Sequence, residues 1–149
     1  MAIARGAGTE IIRSILLKDV AAGEVNLFRG VQHHIYTVLS ITVHCTALGT
    51  DRNYIQCRLY GYDSNAGTTG IYHIIFKEDM SVQQTFVWND KFSFNGHEPT
   101  DFTGPMSSIS MQDAIADQAS SNLQVLVIGG ENSSDRFDIT CTYIDQNNA

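Results

Sequence analysis

The stretch Ile35-Tyr-Thr-Val-Leu-Ser-Ile-Thr-Val-His-Cys-Thr-Ala47 decides how this chain is read. Ile35, Leu39, Ile41, Val43, Cys45 and Ala47 fall on odd positions, whereas Tyr36, Ser40, Thr42, His44 and Thr46 fall on even ones. Successive side chains of a strand point to opposite faces, so an apolar residue at every second position describes a half-buried strand. Tyr54 to Tyr62 keeps the same parity, with Ile55, Cys57 and Leu59 odd and Gln56 and Arg58 even. Gly49-Thr50-Asp51-Arg52 supplies turn chemistry between the two runs. They are therefore expected to form an antiparallel hairpin symmetric about Asp51, position 45 facing 57 and 43 facing 59. That register puts both apolar faces on one side. It also sets Cys45 opposite Cys57, close enough for a cross-strand disulfide under oxidation, with two reduced core thiols as the alternative.

Working outward, further strands are predicted at Ile71 to Phe76, Gln83 to Trp88, Phe92 to Phe94, Leu123 to Ile128 and Arg136 to Ile144. The last two flank Gly129-Gly130-Glu131-Asn132-Ser133-Ser134-Asp135, a loop of residues that tolerate positive φ or cap themselves, and read as a second hairpin. Thr9 to Val20 is ambiguous, since Glu10 to Leu17 fits a strand or one and a half helical turns, and it is read as a strand or as an extended N-terminal arm over residues 1–13. One short helix is expected from Met111 to about Ala119, where Ser110 and Asp113 have capping-box spacing. A chain of 149 residues with neither repeat nor low-complexity linker makes one domain. The layer rules then favour an all-β antiparallel sandwich or a jelly-roll-like barrel.

Composition narrows the function classes. Charged residues are 17% of the chain, below the roughly 25% of an ordinary soluble domain, which favours strands, turns and neutral surfaces. The formal net charge is −7 and the nine basic residues form no cluster, so direct packing against nucleic acid is not expected. Three cysteines, Cys45, Cys57 and Cys141, have no metal-ligand spacing, and an odd number leaves at least one thiol unpaired in a monomer. No signal-type apolar segment and no run near the roughly 20 apolar residues of a membrane span is visible, so synthesis in the cytoplasm and no membrane partner are expected.

The chemistry-bearing residues do not converge. His33 and His34 are adjacent and would point to opposite faces of a strand, and His44, His73 and His97 are scattered, so no metal site is expected. The carboxylates sit mainly where turns need them. There is no Gly-x-Ser-x-Gly elbow and no phosphate-binding glycine pattern, so no catalytic residue and no cofactor is assigned. The aromatic residues say more. Tyr54, Tyr60 and Tyr62 share the even face of one predicted strand, and tyrosines combine apolar area with a polar tip, which suits an interface. Strand propensity, or a strand buried on both faces, is the plainer account.

Four segments carry a resemblance. Arg5-Gly-Ala-Gly-Thr-Glu-Ile-Ile-Arg13, Gly30-Val-Gln-His-His-Ile-Tyr-Thr-Val-Leu39, Gln84-Thr-Phe-Val-Trp-Asn-Asp-Lys-Phe-Ser-Phe-Asn-Gly96 and Gln112-Asp-Ala-Ile-Ala-Asp-Gln-Ala119 resemble a family of small virion structural proteins of marine and cyanobacterial tailed phages. The resemblance implies a non-enzymatic virion component, best fitted by a capsid decoration or cement protein on the capsid surface. Its partner would be the major capsid protein, and such proteins are commonly homo-oligomers, often trimers. The interface is then expected in the N-terminal segment, including Arg5, Thr9, Glu10 and Arg13, and in Tyr54, Tyr60 and Tyr62. The alternative is a tail or fibre-tip module that binds a host glycan or protein through loops such as Asp63 to Gly70 and Asn95 to Pro105. A hydrolase of surface polymers would need converging acids in a deep pocket.

Overall fold

A computed structural model describes residues 9–49, 53–62, 70–98 and 123–147. Among these the chain forms nine strands: β1 (Thr9–Val20), β2 (Val25–Arg29), β3 (His34–Ala47), β4 (Asn53–Tyr60), β5 (Tyr72–Met80), β6 (Thr85–Trp88), β7 (Phe92–Asn95), β8 (Val125–Gly130) and β9 (Arg136–Asn147). They build two antiparallel sheets. The first has the order β1-β9-β3-β6, with β7 pairing the remaining length of β3, and the second has the order β2-β8-β4-β5. β6 and β7 lie end to end along one side of β3, so they act as a single interrupted strand. The pairs β1 with β9, β2 with β8, β3 with β6–β7 and β4 with β5 are then nested in the manner of a jelly roll. The expected all-β sandwich of jelly-roll type is therefore present.

The strand predictions hold and the two hairpins do not. β3 and β4 stand in different sheets, as do β8 and β9, so each expected hairpin is instead an arch that carries the chain across the core. Parity reveals which face of a strand is apolar but not which strand lies beside it. Ile41, Val43 and Cys45 point inward from one sheet, and Ile55, Cys57 and Leu59 point inward from the other. Cys45 is opposite Phe137, Cys57 is opposite Ile128 and Phe76, and all three cysteines are buried free thiols. The Cys45–Cys57 cross-strand pair is thus not formed.

A bulge corrects a second reading. The register of β3 against β9 shifts between Val38 and Ser40, so Tyr36 and Val38 are buried on even positions and Ile41, Val43 and Cys45 on odd ones. An extra residue in one strand reverses the alternation beyond it, which is why Tyr36 belongs to the core and not to the polar face. Thr9 to Arg13 is paired with β9 from the outset and is strand, not arm; residues 1–8 lie outside the described residues, as does the helix expected at Met111 to Ala119. β2 escaped the sequence reading because it is short and carries its own bulge between Asn26 and Phe28, which leaves Leu27 and Phe28 both buried.

Aromatic rings fill the space between the sheets. Phe28 stacks on Tyr143 at 4.2 Å and on Phe94 at 5.7 Å, with Tyr36 tilted against it at 5.1 Å. Phe76 packs on Phe86 and Trp88 in a separate group. Backbone approach closes the structure where β2, β7 and the start of β8 meet: Gly30 N–H donates to the Gln124 carbonyl at 2.7 Å, and Gln124 N–H donates to the Gly96 carbonyl at 2.8 Å. A Cβ at either Gly30 or Gly96 would collide with backbone, so glycine is required there by contact.

Candidate functional site

β4 alternates strictly. Asn53, Ile55, Cys57 and Leu59 face the core, and Tyr54, Gln56, Arg58 and Tyr60 face outward from the second sheet. Their neighbours on β5 are set by register: Gln56 is opposite Lys77, and Tyr60 is opposite Tyr72. A bulge on β5 places both Phe76 opposite Cys57 and Ile74 opposite Arg58, so Tyr72 and Ile74 join the outward face. The result is a continuous surface of rings and cations. Lys77 Nζ sits 4.0 Å from the Tyr54 ring centre, and the Arg58 guanidinium carbon lies 4.8 Å from the Tyr72 ring and 5.9 Å from that of Tyr60. Tyr60 and Tyr72 pack at 5.4 Å.

One carboxylate holds this surface in place. Glu24, in the turn between β1 and β2, forms an ion pair with Arg58, and Tyr60 Oη donates to its two oxygens at 3.0 and 3.2 Å. Both partners are partly exposed, so the pair contributes at most about 1 kcal/mol, and its role is to fix the guanidinium over the rings. Gly23, Glu24, Tyr54, Gln56, Arg58 and the Gly129–Gly130 backbone border a shallow depression of about 100 Å³. Such a surface can stack on planar or apolar groups and donate hydrogen bonds from Arg58. Its acid is already engaged by a cation and a hydroxyl, which suits binding better than proton transfer.

Tyr62 lies beyond the end of β4, after Gly61 at φ 88°, and meets His73 edge-on at 6.5 Å. Burial pushes its hydroxyl pKa up. Its backbone N–H donates to Glu98 Oε1 at 3.0 Å, and Gly70 N–H donates to the same oxygen at 2.6 Å. Glu98, only 1% exposed, thereby ties together both described ends of the β4–β5 connection.

The other expected interface residues stand apart from this surface. Arg5 lies outside the described residues. Thr9 and Glu10 are exposed at the start of β1, in the first sheet. Arg13 Nε donates to Asp145 Oδ2 at 3.0 Å, and His34 Nδ1 lies 2.5 Å from Asp145 Oδ1, so Arg13 is tied to the first sheet while its side chain stays half exposed. Among the described residues no three histidine, cysteine or acidic side chains gather as metal ligands. The structure adds Glu24, Arg58, Tyr72, Ile74 and Lys77 to the tyrosines. Arg58 was visible between Tyr54 and Tyr60 on the even positions, but nothing in the sequence pointed from Glu24 to a strand that far along the chain.

No family model matches the chain, and no curated protein matches it either. Among solved structures it is similar to a chain of the Bacillus endospore appendages that form a novel family of disulfide-linked pili. That likeness has a TM-score of 0.43 and 12% identity, and covers all of this chain and 97% of the other. It is also similar to a chain of Infectious Bursal Virus derived T=1 particles, with a TM-score of 0.24 and 7% identity over 98% of this chain and 42% of that one. Likenesses this distant carry no functional conclusion, and the topology rests on the strand pairing itself.

Proposed function

We propose that this chain is a structural subunit of a tailed-phage virion, a non-enzymatic capsid decoration protein that attaches as a homo-oligomer to the shell of the major capsid protein. The observation that carries the reading is the outward face of β4 and β5, where Tyr60, Tyr72 and Arg58 are packed together and held by Glu24. Tyrosine and arginine are, with tryptophan, enriched among the energetic anchors of interfaces: a tyrosine ring buries a large area at low rotamer cost, and a guanidinium already held by Glu24 has less freedom left to lose. Tyr72 at 52% and Ile74 at 42% exposure leave apolar area available to a partner. The resemblance of the four segments to small virion proteins supplies the partner class.

The mechanism needs no reaction. A protein that binds the assembled, expanded shell and not its precursors stabilises that shell by mass action, about 2.7 kcal/mol per site when its free concentration is 100 times its dissociation constant. Repetition over a symmetric lattice multiplies the effect.

The test is a purified particle reconstruction with protein quantitation, followed by rebinding of Arg58→Ala and Tyr72→Ala to particles stripped of the protein. Hundreds of copies on the shell, and roughly tenfold or greater weakening by each variant, are the expected results. A few copies confined to the tail would replace this reading with the recognition module, for which the depression beside Tyr54 and Arg58 is the natural binding surface.

A further inference from the structure

Among the described residues the two sheets have four edges, and three of them are blunted against pairing with another chain. β2 is five residues long and bulged. β6 and β7 are four residues each, separated by Asn89, Asp90 and Lys91. β5 carries Lys77, Glu78 and Asp79 in succession as well as a bulge. Short strands, charges and bulges are the usual protections of a sheet edge. β1 is different. It pairs with β9 in unbroken register from Thr9 to Leu17, and its irregularity comes only afterwards, between Leu17 and Val20. Within that register it has no proline, no glycine and two charged residues, Glu10 and Arg13, of which Arg13 is bound to Asp145. Among the described residues no strand pairs with its other side.

Its exposed side chains are apolar at the centre. Ile12 is 68% exposed and Leu16 61%, the two largest exposures among the big apolar residues described. Ser14 lies between them on the same face, where its hydroxyl meets that of Thr142. An isolated exposed isoleucine or leucine is ordinary, but two on the outward face of a long unprotected edge are not.

We propose that β1 is a self-complementary contact: two copies of the chain pair β1 with β1, antiparallel, about a two-fold axis at Ser14, joining their first sheets into one. The partner follows from the order of residues. With the axis at Ser14, Ile12 faces Leu16 of the second copy and Ile11 faces Leu17, while the acidic Glu10 stands at the end of the ladder, beside the basic Lys18 that follows Leu17 in the second copy. Each match occurs twice by symmetry, as an isologous contact requires. Apolar and opposite-charge pairs directly across an antiparallel ladder are both favourable, and like charges there are unfavourable. Arg13 faces Ile15 of the second copy with its guanidinium already turned to Asp145, so its methylene stem is what the isoleucine meets. The contact is independent of what the tyrosine surface binds, and it makes the assembly unit a dimer rather than the trimer that the resemblance implies.

The experiment measures the mass of the full chain in solution by sedimentation or light scattering. The unmodified chain should give twice the chain mass. Ile12→Lys combined with Leu16→Lys sets amines opposite amines and should raise the dissociation constant roughly tenfold or more, with circular dichroism and melting temperature unchanged. Ile12→Glu combined with Leu16→Lys sets carboxylate opposite amine in the same register and should restore the dimer. A monomeric or trimeric unmodified chain overturns the proposal, as does a folded Glu/Lys variant that stays monomeric. An independent check places the axis. Ser14→Cys should yield a covalent dimer on mild oxidation, since the three native thiols are buried, and failure to cross-link a folded dimer overturns the two-fold at Ser14.

Discussion

Asp135 shows how much one side chain can hold. It is fully buried, and its carboxylate accepts from Gly49 N–H at 3.0 Å, Asn53 Nδ2 at 2.7 Å and Asn132 N–H at 3.0 Å. Two separate crossings between the sheets, the β3–β4 arch and the β8–β9 arch, are thereby fastened at one point. Replacing Asp135 by alanine removes the acceptor of the buried Asn53 Nδ2 and of two partly buried backbone N–H groups, and should cost about 2–4 kcal/mol in urea unfolding with the slope unchanged. Asparagine keeps one acceptor oxygen and should recover part of that loss. The sequence marked Asp135 as a loop residue, which it is. It gave no hint of Gly49, 86 positions away, because a loop composition identifies residues that cap themselves and not the distant groups they also cap. Glu98 was hidden for the same reason: its donors, Tyr62 and Gly70, come from another connection.

At the level of elements, seven of the nine strands were legible as strands from alternation, and Thr9 to Val20 was legible as one of two readings. What alternation cannot carry is a bulge, since the rule it rests on assumes that every residue advances the ladder by one. In β3 the residue that breaks the rule is Leu39, placed between the inward Val38 and the outward Ser40 at the register shift against β9. Deleting Leu39 makes Val38 and Ser40 adjacent, so Tyr36, Val38, Ile41, Val43 and Cys45 all keep to one face of a strand that no longer needs the bulge. That deletion should therefore preserve cooperative unfolding, whereas deleting Thr42, beyond the bulge, turns Val43 and Cys45 out of the core and should cost more than about 4 kcal/mol. Thermal melts followed by near-ultraviolet circular dichroism distinguish the two, since Tyr36 reports on the packed end of the core. A Leu39 deletion as damaging as the Thr42 deletion would mean that the bulge does not set the facing of β3.

The whole molecule is where the sequence was least informative, because a jelly roll is defined by which strands are neighbours and the local signals are the same for an arch and a hairpin. The wrapping nevertheless has a measurable consequence. It brings ionisable groups from both sheets into one apolar interior: Cys57 from the second, and Cys45, Cys141 and Tyr36 from the first. Burial pushes the Cys141 thiol from its ordinary value of 9.0 up to about 12. Burial also raises Cys57 strongly, with Cys141 beside it adding to the rise, and raises Cys45. Tyr36 is pushed up to about 12, by burial first and then by the charge of Asp145. In each case the folded protein keeps a proton that the unfolded chain gives up at lower pH. Unfolding therefore releases protons above about pH 9, and the stability these groups contribute is complete below that value and lost as pH climbs toward about 12. The melting temperature should be flat through neutral pH with respect to these groups and should fall progressively above about pH 9. Replacing Cys57 and Cys141 together by alanine should lower it at neutral pH, by leaving small cavities, and make its alkaline decline shallower than in the unmodified chain. An alkaline slope identical in the two proteins would show that these thiols are not held protonated by the fold, and would contradict their placement between the sheets.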